Sequence, residues 1–67
     1  MPVVNIEWTP GRTQQQKDEI AKRVVAALKD VAGIVETSTW VTFSEIPASD
    51  WYIGNETLAE IRRKKQG

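Results

Sequence analysis

Val3-Val4-Asn5-Ile6-Glu7-Trp8, followed by Thr9-Pro10-Gly11, decides how the rest of the chain is read. Val4, Ile6 and Trp8 fall on one side of an extended segment, and Val3, Asn5 and Glu7 on the other. Such alternation marks a short strand with one strongly apolar face. Thr9-Pro10-Gly11 is turn chemistry and ends the strand. Beyond it the period changes. Thr13 stands three residues before Gln16, the spacing of a capping box at a helix start. Ile20, Val24, Leu28 and Val31 then recur at steps of four, four and three, the pattern of a buried helical stripe. Asp18 with Lys22 and Glu19 with Arg23 form i,i+4 pairs on the wet side, acid first, as helices prefer. Gly33 supplies the stop. The spacing predicts a helix over about residues 13–32.

A second strand is expected from Thr37 to Glu45, where Thr37, Thr39, Trp40, Val41, Thr42 and Phe43 concentrate β-branched and aromatic side chains. Pro47 closes it. Trp51-Tyr52-Ile53 with Gly54-Asn55 reads as a small hairpin, and the remainder fades into a charged tail. Strand, helix and strand in close succession make a βαβ unit, so the two main strands should run parallel with a right-handed crossover. The fold class is α+β: one domain over residues 1–67, with 62–67 expected to be a frayed basic tail. Two strands are marginal alone. Pairing two chains edge to edge would give a four-stranded sheet with both helices on one side, leaving the other face to be buried by higher assembly.

Composition points the same way. Sixty-seven residues bury too little surface for a robust core, and small chains usually depend on a staple. There is no cysteine for a disulfide and no histidine for the common metal sites, so only carboxylate ligands remain and no metal is expected. Self-association is the remaining route. The segment MPVVNIEW has neither the basic region nor the long apolar run of a signal peptide, and no stretch is long enough to span a bilayer, so a cytoplasmic protein without membrane contact is expected. The formal charge is zero but unevenly placed. Residues 1–61 carry five basic and nine acidic residues, a balance of −4, and Arg62-Arg63-Lys64-Lys65 restores it. A basic tail can meet phosphates, but the acidic body would repel nucleic acid, and no nucleic-acid partner is expected.

The absence of His and Cys excludes Ser-His-Asp and Cys-His chemistry, and the four glycines form neither a P-loop nor a dinucleotide fingerprint. An enzyme built on this chain needs a less common base. Pro2 is one. Once Met1 is removed, it carries a secondary amine on a rigid ring. An ordinary α-amino group titrates near 7.7–8.0. Desolvation and neighbouring cations lower that value, towards the range useful for moving a proton α to a carbonyl.

Taken in order, these residues resemble a family. Pro2 opens the first strand, Gly11-Arg12 ends it, and Thr13-Gln14-Gln15-Gln16-Lys17 starts the helix. The second strand ends in Ser44-Glu45, and Trp51 precedes Ile53-Gly54. This arrangement is similar to the short-chain members of the tautomerase superfamily, 4-oxalocrotonate tautomerase above all, over about residues 2–63. The resemblance implies a hexamer built as a trimer of dimers and a cofactor-free enzyme. It would act on small enol or keto acids, such as 2-hydroxymuconate from aromatic degradation, with Pro2 as general base and then general acid. By position, Arg12 would hold a substrate carboxylate and Trp51 would supply the aromatic wall that keeps the amine in an apolar pocket.

Trp40 departs from the pattern. It stands where the well-studied members carry a second arginine that reaches the site from a neighbouring subunit. Tryptophan offers one N–H and a π-face but cannot pair with a carboxylate by charge. Trp40 is either a site residue of altered specificity or interface packing. Arg62 and Arg63 are further cations that nothing in the sequence positions. The hexamer is expected to contain identical subunits, or else this chain with a different partner that supplies the arginine. In that case the chain would be a non-catalytic or half-active subunit. The superfamily's hydrating dehalogenases have an arginine at the position of Thr9 and a water-activating glutamate at that of Ile53, so hydration is not expected here.

Overall fold

The computed structural model describes residues 1–66. Strand β1 spans Val3–Trp8, helix α1 Gln14–Ala32 and strand β2 Trp40–Glu45. A short hairpin follows, β3 at Tyr52–Ile53 and β4 at Glu56–Thr57, and then helix α2 at Leu58–Gln66. Single 3₁₀ turns at Glu36–Ser38 and Ala48–Asp50 flank β2. β1 and β2 pair in parallel, with Val3 opposite Trp40 and Trp8 opposite Glu45. The expected βαβ unit and C-terminal hairpin are both present.

The alternation read from the sequence sorts the two sheet faces. Val4, Ile6 and Trp8 with Val41 and Phe43 are half-buried beneath α1, and the Trp8 and Phe43 rings stack at 5.3 Å. Glu45, on the same face, reaches Lys17 of α1 at 2.7 Å. The opposite face holds Val3, Asn5 and Glu7 beside Trp40, Thr42 and Ser44. There the Asn5 amide oxygen accepts hydrogen bonds from the Thr42 hydroxyl at 2.9 Å and the Ser44 hydroxyl at 3.1 Å.

The ends of α1 are built as its sequence requires. The Gln16 N–H donates to the Thr13 hydroxyl at 3.1 Å, and the Thr13 N–H donates to the Gln16 side-chain oxygen at 2.9 Å, which completes the capping box. Gly33 closes the helix with φ +69°, a left-handed conformation that a Cβ would strain.

Two expectations need correction. Val31 is not in the buried stripe but 89% exposed. The 19 residues of α1 extend about 28 Å, while a six-residue strand spans about 20 Å, so the last helical turn overhangs the sheet. The second strand begins at Trp40 rather than Thr37. Residues Glu36–Ser38 turn instead, carrying the chain back from the overhang, with Glu36 fixed to Lys29 of α1 at 2.8 Å. Helix α2 was not expected either: it runs through the basic residues to Gln66, and of the expected tail only Gly67 lies outside the described residues. The Thr57 hydroxyl accepts from the Glu60 N–H at 3.2 Å at its start, and Lys64 reaches back to Glu56. Arginine and lysine are good helix formers, and in a last turn they complement the helix dipole.

Among the described residues, no apolar side chain is fully buried. The accessible surface is 5149 Å², against about 4,300 Å² for a compact monomer of this mass. The hairpin and α2 pack on the Ala48–Asp50 turn and stretch the molecule to 47 × 25 × 16 Å.

Candidate active site

The parallel sheet separates the four candidate side chains into two groups. Pro2 precedes β1, and its carbonyl accepts the N–H of Trp40 at 3.0 Å, which extends the ladder by one bond. The Pro2 carbonyl is therefore tied to the sheet where β2 begins. Met1, ahead of it, is 82% exposed. Trp40 lies beside Pro2 at this amino end of the strands, on the face away from α1, and is 55% exposed.

Arg12 and Trp51 occupy the carboxyl end. The Arg12 guanidinium lies over the Trp8 ring, 4.7 Å from its centroid, and Nη1 donates to the Thr9 carbonyl at 3.0 Å. It borders an open hollow of about 370 Å³ with Trp8, Gln16, Glu19, Ile20 and Arg23. Trp51 is half-buried after the Ala48–Asp50 turn, where its carbonyl accepts the Leu58 N–H at 2.7 Å. It borders a smaller hollow with Glu7, Ile46, Asp50 and Tyr52.

A strand of six residues puts about 20 Å between the two ends. Arg12 is held against Trp8 and Thr9, so it cannot reach Pro2 of its own chain. Pro2 and Trp40 meet through a backbone hydrogen bond, Arg12 and Trp51 share the other end, and a site using all four must draw them from more than one chain. A larger hollow, about 570 Å³ along α1, contains none of these residues. Sequence reasoning left Arg62 unplaced. α2 brings it to the carboxyl end, where Nη2 donates to the Thr9 hydroxyl at 3.5 Å. Only the helical character of the tail could have signalled this. Among the described residues, no cluster of His, Cys, Asp and Glu could hold a metal ion, and no helix is long and apolar enough to cross a membrane.

Comparison with known proteins gives a consistent set of likenesses. The family described as "Tautomerase enzyme" matches residues 2–61. A probable tautomerase of Lactococcus lactis is 36% identical over 65 residues, covering 97% of this chain and all of the relative. The 2-hydroxymuconate tautomerase of Pseudomonas putida is 30% identical over 63 residues, covering 94% of this chain and all of that protein. Among solved structures, a heterohexameric 4-oxalocrotonate tautomerase from Chloroflexus aurantiacus superposes with a TM-score of 0.80 at 27% identity, over 92% of this chain and all of its own.

Proposed function

The chain belongs to the tautomerase enzyme family, and from that premise we propose that it is a cofactor-free isomerase whose base is the amine of Pro2. Removal of Met1 frees the ring nitrogen. The amine accepts a proton from an enol acid and returns it to a conjugated carbon, so no atom is gained or lost. Arg12 of a neighbouring chain holds a substrate carboxylate, with Trp51 of the same end as apolar wall. The indole of Trp40 faces the substrate beside Pro2, where an arginine would add a second charge. The substrates are 2-hydroxymuconate-like or enolpyruvate-like acids, and the working form is a hexamer assembled as a trimer of dimers in the cytoplasm.

The observation that carries this reading is the anchoring of Pro2. The Trp40 N–H donates to its carbonyl and ties the residue that bears the amine to the amino end of the sheet, while Met1 is 82% exposed and open to removal. Ketonisation of 2-hydroxymuconate and of phenylenolpyruvate, measured side by side on protein of verified mass, tests it. Pro2→Ala should lower kcat by about two to four powers of ten with the fold unchanged. Wild-type rates in that variant would move the catalytic proton elsewhere.

A second reading has its own support. Trp40 lacks the charge of an arginine, and the Chloroflexus relative is a heterohexamer. This chain would then be the weaker subunit of a mixed assembly. Activity that rises on adding a different tautomerase subunit, with a native mass showing both, would favour it.

A further inference from the structure

Arg12 and Arg62 come from opposite parts of the sequence and meet on one residue. Arg12 Nη1 donates to the Thr9 carbonyl at 3.0 Å, and Arg62 Nη2 donates to the Thr9 hydroxyl at 3.5 Å. Neither has a carboxylate partner among the described residues, where the ion pairs are Lys17 with Glu45, Arg23 with Glu19, Lys29 with Glu36 and Lys64 with Glu56. Two guanidinium groups brought to one residue repel each other, and Glu19, which borders the same hollow as Arg12, is paired with Arg23 instead. The arrangement is nevertheless built. α2 carries Arg62, and its start is fixed by the Thr57 hydroxyl and by the bond from the Leu58 N–H to the Trp51 carbonyl. Arg12 is fixed by the Trp8 ring beneath it.

Each guanidinium has five N–H donors, and its bond to Thr9 uses one. A carboxylate accepts about four hydrogen bonds and could take donors from both arginines. We propose that Arg12 and Arg62 form a two-guanidinium clamp for one substrate carboxylate, with Arg62 adding a second cation at the Arg12 end of the substrate. The inference rests on the tautomerase reading. Because the clamp lies at the carboxyl end of the strands, it serves the Pro2 of a neighbouring chain. Arg62 is a substrate-binding residue, separate from the proton transfer.

The test uses the assembled protein and two probes. One is cis,cis-muconate, a dicarboxylate without the enol, whose affinity is read by calorimetry. The other is 2-hydroxymuconate, followed by its ketonisation. Arg62→Ala should weaken muconate binding and raise KM by about tenfold each, with a much smaller change in kcat. Arg62→Lys should recover only part of the loss, since an ammonium group lacks the fork. Arg63→Ala, which removes the same charge one residue along, should leave both values at wild type. Equal losses in Arg62→Ala and Arg63→Ala would show a diffuse charge effect and overturn the clamp, as would muconate binding untouched by Arg62→Ala. If the wild type binds muconate through Arg62 but does not ketonise, the clamp stands and the tautomerase reading falls. Ketonisation that does not depend on Arg62 gives the reverse.

Discussion

In the proposed site, position 40 is the residue that bears most on specificity. The Trp40 backbone N–H holds Pro2, and its indole stands on the open sheet face, 55% exposed. A guanidinium placed there would find room and would lie on the Pro2 side of the substrate, opposite the Arg12 end. A hydrogen bond to a charged group is worth about 1.5–3 kcal/mol, or one to two powers of ten in kcat/KM. Trp40→Arg should therefore raise kcat/KM for 2-hydroxymuconate more than for phenylenolpyruvate, which has a single carboxylate. An unchanged ratio would return Trp40 to interface packing. Pro2, Arg12, Trp40 and Trp51 stood out in the sequence because each sits in register with a strand end, a turn or a glycine. Arg62 has no such marker. A run of Arg62-Arg63-Lys64-Lys65 reads as a solvated terminus, and only the helix beneath it aims one member at Thr9.

Elements were legible where local chemistry alone fixes them and obscure where length or packing intervenes. The capping box at Thr13 and the left-handed Gly33 bracket α1 as read, because both are settled within a few residues. The Glu36–Ser38 turn was missed because it answers to the overhang of α1, which no β-propensity scale contains. The Glu36 carboxyl there is held below its ordinary value, first by the hydrogen bond from Lys29 and then by its charge, and Lys29 is raised by the same pair. The signs give a window. The contribution of Glu36 is present above the normal carboxylate range and is lost as pH falls through its lowered value. That of Lys29 is present below 10.5 and is lost as pH rises past its raised value. Both side chains are solvent-facing, so the effect should be small and weakened by salt. Wild type should lose more of its urea midpoint on acidification than Glu36→Gln does, and high salt should shrink the difference. Parallel acid profiles for the two proteins would mean that the pair does not anchor the turn.

The whole molecule is too open to be finished. Its radius of gyration is 15.8 Å, against about 11 Å for a compact chain of 67 residues, and no apolar side chain among the described residues is fully buried. Val3, Trp40, Tyr52 and Ile53 are all more than half exposed, on the open sheet face and on the arm formed by the hairpin and α2. Copies of the chain would cover these surfaces, and the same assembly would bring the two ends of the strands together. Complementation follows from this geometry. In the proposed site, Pro2→Ala and Arg12→Ala each remove one half of what two chains share, and each should be nearly inactive alone. Unfolded together and refolded, they should form pairs in which the intact Pro2 of one chain faces the intact Arg12 of the other. The second site of such a pair carries both lesions. Random pairing makes half of the pairs mixed, so about a quarter of wild-type activity should return, in particles with the native mass of a hexamer. The length of β1 and the seating of Arg12 on Trp8 keep the two residues of one chain apart, so activity that stays at the level of the parents would mean that Pro2 and Arg12 do not share a site and would overturn the two-chain arrangement.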